Sequence, residues 1–279
     1  MKNIDNITNL FIYNTGILNN SKSLNLNVYS ESSLPVFSYL IQHKNKWILF
    51  DTGLSSLLAD NPEKYLGKIL DTIVPFRTKK EWVLSSQLQI NQEDIDIVIL
   101  SHRHLDHTGE VSKFKNAKIF IHKDEMKNKN TMLGSLKGIK NIDIPTETKL
   151  LFPTFENIKN RWGMKQLLDL FGDKSIYLAH TPGHVMGHIS VILNTKIPIF
   201  LAGDALYAPP SQYQSKRIKK IWDMLSAIYY FKKSGLIFTS HDKLEFHPNS
   251  KYDWIKLYDP IEIAISSENF LKNGTDSII

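Results

Sequence analysis

The chain contains no cysteine. That excludes disulfide staples and thiolate metal ligands, so any metal site must use nitrogen and oxygen donors, and it fits a reducing cytoplasm, the expected location. There is no apolar run near the roughly 20 residues of a membrane span. The segment Met1-Lys2-Asn3-Ile4-Asp5-Asn6 has neither a continuous apolar stretch nor a small-residue cleavage site, so no signal peptide and no membrane association are expected. Internal repeats, low-complexity linkers and an extended basic arm are also missing. The net charge is +6, but the lysines are scattered. The tightest group, Lys216-Arg217-Ile218-Lys219-Lys220, sits among Ile218, Ile221, Trp222, Leu225 and Ile228 at helical spacing. It reads as the wet face of a helix over 216–231 and not as a nucleic-acid surface.

Apolar residues are plentiful, at 42% hydrophobic and 11% aromatic over 279 residues. One large domain spanning 1–279 is the economical reading, because a single set of candidate ligands extends through the chain. The densest feature is Ser101-His102-Arg103-His104-Leu105-Asp106-His107, three imidazoles and a carboxylate directly after the apolar run Ile95 to Leu100. A buried strand there gives a rigid mount, and the loop after it lets side chains converge. His102 and His104 can grip one cation while Asp106 and His107 turn toward a second. Further candidates follow apolar runs of their own: His184 in Thr181-Pro182-Gly183-His184, Asp204 in Ala202-Gly203-Asp204, and His241 in Thr239-Ser240-His241-Asp242. Imidazole with carboxylate suits zinc best, with iron, manganese and cobalt behind it.

Elsewhere, Val36 to Gln42 and Trp47 to Phe50 read as a hairpin that delivers Asp51, and Leu24 to Val28 as a further strand. Short helices are expected over Pro62 to Leu70 and Lys79 to Leu84. The segment 124–172 is read as an insertion near the substrate side, with a helix from Asn157 to Phe171. Strands are expected at 117–121, 176–179, 189–193, 197–201 and 236–238. His122, His180 and His188 are assigned supporting or structural roles, His43 and His247 surface positions.

HxHxDH, a TPGH loop, a GD pair and a C-terminal SHD, in this order, resemble the metallo-β-lactamase-fold hydrolases from Asp51-Thr52-Gly53 to Asp242. The resemblance implies an αβ/βα sandwich, two mixed β-sheets flanked by helices, with metals at one edge. It implies a first metal on His102, His104 and His184, a second on Asp106, His107 and His241, Asp204 as the bridge, and Asp51 as a supporting residue. Two divalent ions per chain, zinc by preference, are therefore expected.

Such a pair would lower the pKa of a shared water, and attack by a bridging hydroxide would follow. Within the superfamily, Asp204-Ala205-Leu206-Tyr207 and Thr181-Pro182-Gly183-His184-Val185-Met186-Gly187-His188 are most similar to the N-acyl-homoserine lactone hydrolases. That implies lactone-ring opening of a small-molecule signal, quorum quenching, with Asp106 and Tyr207 as catalytic residues. Tyr207 would donate to the carbonyl oxygen or oxyanion; the alternative for it is packing beside Pro209 and Pro210. Val185-Met186 departs from the Thr-Pro or Ser-Pro pair usual in that loop. A glyoxalase II-like thioesterase, which shares the TPGHxxGH loop, or another esterase of the fold is the rival reading.

Overall fold

The computed structural model describes residues 6–19, 33–68, 76–127, 139–140, 142–206, 235–241 and 263–266. The strand expected over 24–28 and the helix over 216–231 lie outside the described residues. In chain order the strands are β1 (Ile7–Asn19), β2 (Ser33–His43), β3 (Lys46–Phe50), β4 (Phe76–Arg77), β5 (Ile95–Ile99), β6 (Lys118–Phe120) and β7 (Leu150–Leu151). They continue with β8 (Glu156–Arg161), β9 (Met164–Asp169), β10 (Ile176–His180), β11 (Ile189–Leu193), β12 (Ile199–Gly203), β13 (Leu236–Thr239) and β14 (Ile263–Ser266). One sheet has the order β14-β1-β2-β3-β5-β6-β7 with β4 beside β1, the other β13-β12-β11-β10-β9-β8. Both are mixed: β3, β5, β6 and β7 run parallel, as do β12 and β13, beside antiparallel hairpins.

Strand alternation explains why the two sheets stack. Ile48 and Phe50 of β3 and Ile97 and Ile99 of β5 meet Ile176, Leu178, Val191 and Leu201 in one buried layer. The intervening residues turn the other way, Leu49 and Val98 under Leu84, Val111 and Phe114, and Tyr177, Ile192 and Phe200 under Trp162 and Met164. Each large side chain removed fully from water here contributes about 1.5–3 kcal/mol before the entropy of ordering it. The expected αβ/βα sandwich is therefore present. Its described helical segments are short, at Ser56–Asp60, Pro62–Leu66, Leu84–Gln87 and Leu105–Thr108. Among the described residues no helix is long and apolar enough to cross a membrane.

Three expectations are corrected. The helix from Asn157 to Phe171 is instead the hairpin β8–β9, in which Arg161 pairs with Met164. Trp162 and Gly163 form its two-residue turn at φ 52° and 76°. Two successive left-handed residues match the twist of a hairpin and cannot occur inside an α-helix. The Arg161 guanidinium then lies over the Trp162 and Tyr177 rings, 4.2 and 4.8 Å from their centroids. Helix formation around Lys79 to Leu84 begins only at Leu84 and runs to Gln87. His43 is buried at 2% exposure, because its ring stacks on Phe171 at 4.2 Å and its Nε2 meets Asp173 Oδ2 at 3.0 Å. That contact ties the β2–β3 turn to the segment entering β10, at the edge of the sandwich opposite the C-terminal end of β3.

Candidate metal centre

All the candidate ligands leave C-terminal strand ends on one edge. Beyond β5 the Ser101 N–H donates to Asp51 Oδ1 at 2.7 Å, and the chain swings out of the sheet. His104 then precedes the helical turn Leu105–Thr108, which throws Asp106 and His107 to the far side of the loop while Leu105 packs inward. From the second sheet come His184 after β10, Asp204 directly after β12 and His241 after β13. The Ile189 N–H to Ser101 O bond of 2.9 Å stitches the two halves together beside them. Asp51 itself sits at φ 60°, a left-handed conformation that aspartate tolerates, where β3 ends.

The donors form two groups. One ligand atom each from His102, His104, His184 and Asp204 lies within 4.8 Å of the others, and so do those of Asp106, His107 and His241. His104 Nδ1 is 2.8 Å from His102 Nε2 and 3.0 Å from His184 Nε2. These separations approach the roughly 3.3–3.4 Å edge of a tetrahedron with metal–nitrogen bonds of about 2.0–2.1 Å. Asp204 divides its carboxylate between the groups. Oδ2 is 3.4 Å from His184 Nε2 and 3.8 Å from His102 Nε2. Oδ1 is 3.4 Å from His107 Nε2 and 3.3 Å from His241 Nε2. Asp106 Oδ2 approaches the same two nitrogens at 3.3 and 3.1 Å.

Supporting contacts hold the rings so that chosen nitrogens face inward. His107 Nδ1 meets Asp51 Oδ2 at 2.8 Å, His241 Nδ1 meets Pro35 O at 2.9 Å, and His102 Nδ1 meets Ser101 Oγ at 2.9 Å. With protons on those Nδ1 atoms, each Nε2 presents a lone pair. His188 supports the carboxylate end: its Nε2 accepts the Asp204 N–H at 3.1 Å and its Nδ1 meets Thr181 Oγ1 at 2.8 Å. Sequence pattern gives no sign of the roles of Ser101 and Pro35. A hydroxyl and a carbonyl carry no motif, and Pro35 is brought here only by sheet packing.

The electrostatics separate the groups. Burial, then the neighbouring imidazoles, pushes His102 well below its ordinary value, and burial takes His104 down to about 4. Burial acts downward on His107 and His241 too, but the carboxylates of Asp106 and Asp204 outweigh it, raising His107 well above its ordinary value and His241 to about 10. That second group draws positive charge. Among the described residues, His107 Nε2 and both Asp204 carboxylate oxygens are buried without a hydrogen-bond partner. Buried polar atoms are normally paired, so a set aimed at common points, all nitrogen and oxygen, fits a cation. Tyr207 and Asp242 lie outside the described residues.

Two face-to-face mixed sheets thus carry imidazole and carboxylate donors at one shared edge. The metallo-beta-lactamase superfamily model matches residues 33–260, and the chain belongs to that superfamily. Membership and the donor groups together imply divalent metal. Among curated relatives, the metallo-hydrolase mfmC of Annulohypoxylon moriforme is 28% identical over 200 residues, 64% of this chain and 51% of that protein. The N-acyl homoserine lactonase AttM of Rhizobium johnstonii is 28% identical over 186 residues, 64% of this chain and 67% of that one. The chain thus spans about half the length of the first and two thirds of the second. A solved N-acyl homoserine lactone hydrolase, with N-hexanoyl-L-homoserine bound at its catalytic metal centre, superposes with a TM-score of 0.64 at 21% identity, covering 85% of this chain and 94% of that one. At that identity the likeness is one of fold.

Proposed function

We propose that this protein is a dinuclear zinc hydrolase that opens the lactone ring of N-acyl-homoserine lactones. The observation that carries the dinuclear reading is the divided carboxylate of Asp204, with Oδ2 toward His102 and His184 and Oδ1 toward His107 and His241. His102, His104 and His184 would hold one ion, Asp106, His107 and His241 the other, with Asp204 between them. Lactones are favoured as substrate by the lactonases among the relatives and by the three-residue offset from Asp204 to Tyr207. Contributions from both sheets to each donor group support a single domain over 1–279. A small-molecule substrate and a cytoplasmic setting complete the reading.

Bound divalent cations would supply Lewis acidity toward a carbonyl oxygen and make water a competent nucleophile near neutral pH. The protein's own groups do the rest. Asp106 has one oxygen engaged beside His241 and His107, so its carboxylate can take a proton from the attacking water and return it to the departing alkoxide. Tyr207 would donate its phenolic proton in a hydrogen bond to the lactone carbonyl, strengthening as negative charge develops there.

The test is a hydrolysis panel on purified, zinc-loaded protein, with short- and long-chain acyl-homoserine lactones, a glutathione thioester, a β-lactam and a phosphodiester. Preferential turnover of lactones is expected. Turnover of the thioester with none of the lactones would replace this reading with the glyoxalase II-like one.

A further inference from the structure

We infer that Glu125 is a positioning residue that sets the separation of the two loops bearing His102, His104 and His184. This rests on the reading of those three histidines as ligands of one cation. Glu125 lies in the turn Lys123–Met126 after β6 and is not itself a donor to either group. It is buried, at 8% exposure. Its Oε2 accepts the Arg103 N–H at 3.2 Å and its Oε1 the Gly187 N–H at 3.1 Å. Arg103 stands between His102 and His104; Gly187 follows His184 by three residues. One carboxylate therefore spans the loop after β5 and the loop before β11, behind the point where His104 Nδ1 and His184 Nε2 come within 3.0 Å.

The surroundings are built for a carboxylate at this place. The Arg103 side chain is buried, at 3% exposure; burial lowers its pKa, and the nearby Glu125 carboxylate acts against that to favour the cation. Burial raises the carboxyl of Glu125, while the two backbone N–H groups and Arg103 act against that rise. Gly187 leaves the space the carboxylate occupies: a Cβ there would lie 2.7 Å from Oε1 and 2.8 Å from Cγ. A neutral side chain of the same length would keep only one acceptor, and a shorter one would leave both buried N–H groups unpaired. Loops released in this way would spread the three imidazoles and weaken the grip on the cation, as loss of an outer partner does at metal sites generally.

The experiment uses Co²⁺ as probe, with affinity measured by chelator competition, the visible absorption of the bound ion, and the thermal midpoint of metal-free protein. Glu125→Ala and Gly187→Ala should each weaken Co²⁺ binding about 10- to 100-fold and alter the absorption bands, with Glu125→Gln in between. Lowered midpoints in the metal-free variants, with affinity within about twofold of the parent and unchanged bands, would overturn the inference by reducing Glu125 to a packing role. Glu125→Gln, nearly isosteric, decides the matter should either alanine variant fail to fold. A parent protein that binds no Co²⁺ would remove the ligand reading and this inference together, whereas unchanged affinity in the variants alone removes only the inference.

Discussion

Asp51 Oδ2 lies 2.8 Å from His107 Nδ1, while its Oδ1 accepts the Ser101 N–H at 2.7 Å. One carboxylate at the end of β3 thus orients an imidazole and anchors the start of the loop that bears it. Asp51→Ala should leave the fold intact but lower metal affinity about 10- to 100-fold, because His107 loses the partner that fixes its tautomer. Chelator competition checks this; affinity equal to that of the parent would refute the orienting role.

Asp204→Asn and Tyr207→Phe should separate metal binding from turnover. An amide is a poor bridge, so Asp204→Asn should reduce the bound metal by about one ion per chain, read by elemental analysis. Tyr207→Phe should retain its metal and slow lactone opening roughly ten- to a thousandfold, the range for losing one preorganised donor. Unchanged kcat/KM in Tyr207→Phe would return Tyr207 to packing.

The Asp143 carboxyl predicts a pH effect on stability. Burial pushes it up to about 8, against the stabilising influence of the Tyr65 hydroxyl that donates to its Oδ2 at 2.6 Å. The folded protein therefore holds this proton over a range in which the unfolded chain has released it. Stability from this group is full below the ordinary carboxylate value and is lost as pH rises toward about 8. Asp143→Asn cannot ionise, so its thermal midpoint relative to the parent should climb between about pH 4 and 8. A difference constant with pH would show that the carboxyl is ionised in the folded protein.

At the opposite edge, Asp173 Oδ2 accepts from Asn6 Nδ2 at 2.9 Å, from Lys44 Nζ at 3.0 Å and from His43 Nε2 at 3.0 Å. Asp173→Ala would leave the buried His43 Nε2 with Ser175 Oγ at 3.0 Å as its remaining partner and release Asn6 and Lys44, at a cost of about 1–3 kcal/mol. Denaturant unfolding should register that loss, while metal affinity at the far edge stays unchanged. A change in metal affinity would mean that the two edges communicate.

The histidine and aspartate positions are legible in the sequence because each follows an apolar run that suits a buried strand, and a chain leaving such a strand has a predictable exit. Strand alternation likewise makes the sandwich legible, with Ile48 and Phe50 on one face and Leu49 on the other. Asn157 to Phe171 is ambiguous in sequence because Ile158, Trp162, Leu167 and Leu168 also suit helical spacing. The left-handed backbone at Trp162 and Gly163 decides for a hairpin, and that hairpin is held by β10 and by the ring stack of Arg161 on Trp162 and Tyr177. The register between sheets has no signature in the sequence. Residues as distant in the chain as Pro35 and His241, or Glu125 and Gly187, become partners only when the sheets pack. Local pattern thus determined which residues could donate to a metal. Tertiary packing decided which nitrogen of His107 and of His241 turns inward and how far apart the loops are held, because both depend on hydrogen bonds between segments that share no sequence proximity.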